Sequence, residues 1–592
     1  MNKIKASKFF NLFIVFLCFV AISSIVIPNP ADGHKVIIKI LPQEYSLIGL
    51  FGFLGTAIVY FLPDKPEKKT YIFSSVIVIV LLILDSINYF GSFAGILSNY
   101  KSILFFIFRF IFLTIIFSKL FIFLKSKILV NWKHIKYDKT NFPQTLFFCC
   151  SVIFFCWFPF LLIFFPGSPA WDGLQMLDVA FGIFPPSNHH PYYLSLLLAL
   201  PVRLRTYVGD TYAFGLLLVN LIAFQVLCYG LGCVFFIRSR LSITPKIYPF
   251  FFGIVPLFPL YAQAILKDSL YAASFFLFIS IICYIFFPRL SINSKITWGV
   301  FALSCFFLCY SRHNGPYVVF PTLLLIWIYL YLNKLQNSKK VFIILSTLFL
   351  CISFTNNYLL NKLEVEPSLN REKFSILGQM TGRAVVENFD KLTQDDIKEI
   401  QKIIPDYKVI PKLYNPNFYD PIKNSMKFET SPKEILSLTF KLCKKFPKSC
   451  LKGAINQSYL YFYPFNTNKI MPHFYDNITQ GIVNTGFFKF QYVLPQKIRN
   501  LISSYGHFWI NEIPLSLITR PALGSALAIV CLILGFLSKN AKLTLISLPI
   551  NLSLFLNLLS PVNGDFRYAL PILSVFPILF SIVILFVKKN DV

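Results

Sequence analysis

An all-α integral membrane protein of about fourteen transmembrane helices, with an extracytoplasmic α-rich soluble domain, is the fold class this sequence predicts. Three observations lead there. Hydrophobic residues make up 56% of the 592, and charged residues only 14%, against about 25% in a soluble chain. Mean hydropathy is +0.65. The apolar residues fall in blocks of roughly 17 to 25 with almost no charge, the length that crosses a hydrocarbon core about 30 Å thick. These features exclude a secreted disulfide scaffold, a disordered chain and a cytosolic enzyme. Long unbroken runs also exclude a β-barrel, whose spans are short and alternating.

At the amino end, Lys3, Lys5 and Lys8 precede an apolar run over 9–27 that is long for a signal peptide and has no A-x-A site after it, so an uncleaved first span is expected. Further spans are expected at 45–62, 71–87, 103–124, 146–165, 211–237, 247–265, 268–287, 297–310, 316–332, 341–360, 521–538, 542–559 and 569–587. With a cytoplasmic amino end, the basic segments DKPEKK, KSKILVNWKHIKYDK, RSRLSITPK, PRLSINSK, NKLQNSKK, SKNAK and the terminal KKNDV all fall inside. Both termini are then cytoplasmic. The net charge of +29 is thereby read as topology, and no nucleic-acid partner is expected. Leu194 to Leu200 is too short to span and is read as a helix at, or dipping into, the outer surface.

Four regions follow: an N-terminal membrane module of four helices (1–145), a membrane core (146–360) with a long outer loop at 166–210, an extracytoplasmic soluble domain (361–520), and C-terminal transmembrane helices (521–592). In the polar region the run SPKEILSLTFKLCKKF has helical amphipathic spacing. Most of the 13 Cys lie in apolar spans, where they act as small hydrophobes. Cys443 and Cys450 do not. In one unbroken helix they would stand about 10 Å apart, too far to bridge, unless Pro447 bends the chain; their pairing is left open. No CxxC or HExxH pattern marks a metal site.

Ionisable residues gather at the outer ends of the spans, where burial makes them costly. Asp172 and Asp178 follow the fifth span; Asn188, His189 and His190 lie in SNHHP; Lys267 and Asp268 in ILKDSLY; Arg312, His313 and Asn314 in SRHNGP; and Asp565 and Arg567 in NGDFRY. These residues occupy four connections, the first two groups sharing the loop 166–210, and all four fall on one side by a count made from the basic loops alone. Any one of them has a plain structural explanation, such as a hairpin turn for the Lys-Asp pair or a snorkelling anchor for Arg567. Taken together they suit sugar transfer from a lipid-linked phosphate. Lys267, Arg312 and Arg567, with His189 and His190, would bind the donor phosphate as its charge grows, and Asp172 would take the proton of the acceptor hydroxyl.

The runs FPGSPAWDGLQML, SNHHP, LKDSLY, SRHNG, KFSILGQMTGRAVVEN and NPNFYDPIK, in that order, resemble the bacterial membrane proteins grouped as DUF6020, which in turn look like the GT-C superfamily of polytopic glycosyltransferases. That resemblance implies an outward-facing enzyme of the bacterial plasma membrane. It would use a polyprenyl-phosphate sugar donor, a cell-surface glycan acceptor and surrounding membrane lipids, and would serve cell-wall or polysaccharide biosynthesis. It implies Asp172 as catalytic base, with Asp178 second. Gln379, Arg383, Asp420 and Lys423 match it without an assigned role. Two features depart from the superfamily pattern: a module of four spans (1–145) precedes the span that leads into the outer loop, and the usual acidic pair is missing, since Gly173 follows Asp172. No cofactor is assigned, and a divalent metal is left open. The rival readings are a lipid-linked sugar transporter or flippase, a surface polysaccharide polymerase or ligase, and a non-enzymatic scaffold.

Overall fold

The computed structural model describes residues 2–26, 46–63, 65–123, 141–243, 247–465, 487–489, 491–511 and 515–589. They are helical almost throughout, with one two-stranded sheet of two residues per strand. The expected basic stretch 125–139 and the far carboxyl end lie outside the described residues, as do parts of the expected spans 9–27 and 45–62.

Nine helices among the described residues are long and apolar enough to cross a membrane, and ten if one bent pair counts as a single span. All nine coincide with expected spans. Three other expected spans have local causes for differing. The 247–265 run breaks into Ile247–Ile254 and Leu257–Ala262, because Pro256 and Pro259 each remove a backbone donor. The 569–587 run is a bent pair, Phe566–Ser574 and Phe576–Leu585, with a 43° angle near Pro571 and Pro577. The 521–538 run is the 17-residue helix Pro521–Leu537. Tyr192–Val202, which contains Leu194 to Leu200, is a helix of 11 residues, too short to span.

The contacts divide the described residues into two compact units, one from 1–136, 462–470 and 586–592, the other from 137–461 and 471–585. The first is built on Asn2–Val26, Ser46–Tyr60, Lys68–Phe90 and Tyr100–Phe123, around Ala21, Val78, Leu82 and Leu113. Asp85, in the third of these helices, is buried; it pairs with Arg109 at 2.5 Å and accepts a hydrogen bond from Tyr463 Oη.

The second unit is organised around Lys267–Phe286, a helix apolar on every side below its first turn and buried along nearly its whole length. It packs on Asp210–Ile237, Ser294–Ser311 and Phe566–Ser574. The polar stretch carries amphipathic helices with their own core of Ile400, Ile422, Ile435, Leu438 and Leu442. Helix Pro432–Lys445 starts at Ser431, whose hydroxyl accepts from the Glu434 backbone while Glu434 accepts from that of Ser431. The chain breaks at Phe446, before Pro447, and Pro447–Ser458 turns back. That break brings Cys443 and Cys450 to a Cα separation of 5.4 Å, and they are bridged.

Candidate active site

Two extended residues, Ser168–Pro169, pair in parallel with Ala264–Ile265. Each pair leads directly into a helix, Trp171–Ala180 and Lys267–Phe286 respectively, so the pairing sets two helix starts side by side. Gly173 makes the approach possible. A Cβ there would lie 2.0 Å from the carbonyl oxygen of Ile265, far inside van der Waals contact. The residue after Asp172 therefore has no room for a side chain, which explains why a second acid is absent from that position.

At these helix starts the expected charged residues meet in one connected network. Lys267 Nζ lies 3.3 Å from Asp172 Oδ2 and 2.5 Å from His190 Nδ1. Arg567 reaches Asp172 Oδ2 through Nη1 at 3.2 Å and Asp268 Oδ2 through Nε at 3.3 Å, and donates from Nη2 to Tyr568 Oη at 2.8 Å. Arg312 Nε is 3.1 Å from Asp268 Oδ1, and its guanidinium lies 5.3 Å from the ring centroids of both Tyr271 and Tyr568. Asp268 is fully buried between the two arginines. Burial pushes the Asp172 carboxyl upward, but Lys267 and Arg567 outweigh it and hold the group well below the usual carboxylate range. It is ionised at any physiological pH.

The other expected residues take different places. His313 Nε2 hydrogen-bonds to the Asn188 carbonyl at 2.9 Å, and the Asn188 side chain accepts from the Tyr192 backbone, so both hold the SNHHP turn in place. Its neighbour His189 lies with its ring centroid 4.5 Å from that of His190, the two rings tilted by 49°. Asn314 ends the turn before Gly315–Leu332. Asp565 caps Phe566–Ser574 by accepting from the Arg567 backbone at 2.8 Å, which sets the start of the Arg567 helix. Gln379 donates to the Asn415 carbonyl, and Arg383 pairs with Glu387 within its own helix; neither joins the network. Asp178 does not join it either. It is buried, its Oδ1 has no hydrogen-bond partner among the described residues, and burial raises its carboxyl to about 6.

Sequence reasoning passed over Glu372. Its carboxylate pairs with Lys423 at 2.9 Å, Lys423 also pairs with Asp420 at 2.8 Å, and Glu372 and Lys423 both act electrostatically on His189. The polar stretch thereby contributes charge to the site. The NPNFYDP segment is tied to the turn ahead of Arg567: the Tyr419 backbone donates to Pro561, and Asn563 bonds Asn417 through backbone and side chain. No residue-type pattern announces these long-range bonds.

The same unit holds an apolar cavity of about 680 Å³, lined among others by Leu194, Leu198, Leu221, Phe224, Leu270 and Phe307. Its lining residues Tyr193, Leu270 and Ser311 stand within one helical turn, along the chain, of His190, Lys267 and Arg312. A π-helical turn, Thr355–Leu359, puts Thr355 into the wall, where its hydroxyl bonds Tyr310 Oη at 2.9 Å; such turns are frequent at functional sites. Among the described residues no group of three or more His, Cys, Asp or Glu could hold a metal ion.

No curated protein and no solved structure matches this chain. A family model does, over residues 186–590. The match includes His189, His190, Lys267, Asp268, Arg312 and Arg567, and it begins after Asp172 and Asp178. Since it covers more than half of the chain, the protein belongs to the family of unknown function DUF6020.

Proposed function

We propose that the protein is a GT-C-like membrane glycosyltransferase of about fourteen spans in a bacterial plasma membrane. In this reading it transfers a sugar from a polyprenyl-phosphate donor to a cell-surface glycan at the outer face. The observation that carries the reading is a cationic network whose His190, Lys267 and Arg312 lie one to three residues along the chain from Tyr193, Leu270 and Ser311 in the lining of an apolar cavity, a pairing that suits an amphiphile with an anionic head and a hydrocarbon tail. The charges agree with it. Lys267, Arg312 and Arg567 against Asp172 and Asp268 leave one net positive charge (3 − 2 = 1), the complement of a phosphodiester.

The chemistry follows from competition for the same cations. When the donor phosphate engages Lys267 and Arg567, Asp172 gives up part of its counter-charge and becomes more basic just as the donor arrives. The acceptor oxygen then bonds to the anomeric carbon, its proton passes to Asp172, and the bond from that carbon to the phosphate oxygen breaks with its electron pair left on the phosphate. Lys267, Arg312 and Arg567 stabilise the charge that develops there.

The test is sugar transfer by purified protein in detergent with a polyprenyl-phosphate sugar donor, which also separates an enzyme from a transporter because no sealed compartment is present. Wild type should transfer. Asp172→Asn should lower the rate by about 10²- to 10⁴-fold at unchanged expression and with donor affinity undiminished. A wild-type protein that binds the lipid but transfers nothing, or an Asp172→Asn variant of full activity, would remove the proposal.

A further inference from the structure

Lys267 carries an ammonium group, which has hydrogens to donate and no lone pair to offer. Its Nζ lies 2.5 Å from His190 Nδ1, so that nitrogen is the acceptor and the single ring hydrogen sits on Nε2. A doubly protonated ring would set N–H against N–H across this contact. Burial first, and the charge of Lys267 second, accordingly push the His190 imidazolium down to about 2. His190 is only 7% exposed, and its Nε2 is buried with no hydrogen-bond partner among the described residues. A buried N–H left without an acceptor is rare and calls for a specific explanation. His189 offers a contrast: it is half-buried and faces Glu372 and Lys423 as well as Lys267 and Asp172.

We infer that His190 is a ligand-binding residue, held neutral by Lys267, that presents its Nε2–H to an oxygen of the bound phosphate. The inference rests on the lipid-phosphate reading of the site and names one of its directional contacts. A phosphodiester spreads one charge over two non-bridging oxygens. Lys267, Arg312 and Arg567 supply enough charge already, so a further cation would overcompensate it. A neutral N–H instead adds direction without charge, and the bond from Lys267 fixes that direction. The groups acting on His190 are Lys267, Asp172, His189 and Arg567, and their balance is net positive, which keeps the ring unprotonated across the working pH range.

Two measurements on the full-length protein in detergent test this. In the first, ¹⁵N-histidine spectra of wild type minus His190→Gln isolate the His190 signals. A neutral ring with hydrogen on Nε2 from pH 5.5 to 8 is expected; a Nδ1–H ring or an imidazolium in that range overturns the inference. In the second, the methyl phosphodiester of a short-chain polyprenol, which keeps the single charge of the donor without its sugar, is the probe. Gln places an amide nitrogen near the imidazole Nε2 and should keep affinity within about threefold, whereas His190→Asn and His190→Ala should each lose about tenfold or more. Equal losses in Gln and Asn, or none in Ala, overturn it. Failure of wild type to bind the probe would remove both the ligand contact and the lipid-phosphate reading, while a wrong tautomer would remove the His190 inference alone.

Discussion

Asp178 sits six residues after Asp172 on one helix, about 240° around its axis, so the two acids face different surroundings. Asp172 is met by two cations, Lys267 and Arg567, and stays ionised; Asp178 meets burial alone and holds its proton up to about pH 6. The consequence for stability has a definite sign. A carboxyl whose pKa rises on folding binds more protons in the folded state than in the unfolded one, so its contribution is fully present below the unfolded value, 3.8. It is lost as pH rises through about 6. Wild type should therefore melt at a lower temperature at pH 8 than at pH 5, and Asp178→Asn should remove this part of the slope and melt above wild type at pH 8. Parallel pH profiles for the two proteins would show that Asp178 does not titrate in this way. Transfer activity serves as a second readout: it should survive the substitution, because no ion pair of the network includes Asp178.

Between elements, the controlling contact is the start of Trp171–Ala180 against Ile265. In Gly173→Ala the new methyl group would lie 2.0 Å from a backbone oxygen that cannot rotate away, so one of the two helix starts must move. Overpacking of this kind costs about 1 to 3 kcal/mol, and here the displacement falls on Asp172 and Lys267. A fall in melting temperature together with loss of transfer is expected; a variant with wild-type stability and rate would show that the close approach is not needed. Part of this scale was legible in the sequence. The S-x-x-E signature at Ser431 and the helical spacing after it mark Pro432–Lys445 because caps and amphipathic faces are local properties. The paired helix starts, the π-helical turn and the Cys443–Cys450 bridge were not legible as such, since each depends on where a distant segment or a chain reversal places its partner. For the same reason Lys267, Arg312 and Arg567 could be picked out as costly residues at span ends, while Asp268 as the buried bridge between two arginines, and Glu372 as a neighbour of His189, could not.

For the whole chain, the reading stands on orientation. Long apolar blocks declare themselves as spans because hydrocarbon thickness imposes their length, whereas runs interrupted by Pro256 or Pro571 become broken helices and weaken any count that treats them as ordinary spans. In the proposed reading the basic segments put residues 166–210 and the polar stretch on the outer side, and the Cys443–Cys450 bridge is in keeping with that proposal, since such bonds persist in oxidising compartments. Two measurements check this, one in intact cells and one on denatured protein. Reporters active only outside the cytoplasm should work when fused near positions 185 and 430 and fail near 290 and 338. In thiol counting after denaturation without reductant, 11 of the 13 cysteines (13 − 2 = 11) should react, and all 13 after reduction. Reporter activity near 290 with silence near 185 would place Asp172 and Lys267 in the cytosol. A lipid-phosphate site there would have to face a cytoplasmic substrate, and transfer to a cell-surface glycan would be excluded even if the network binds phosphate as argued.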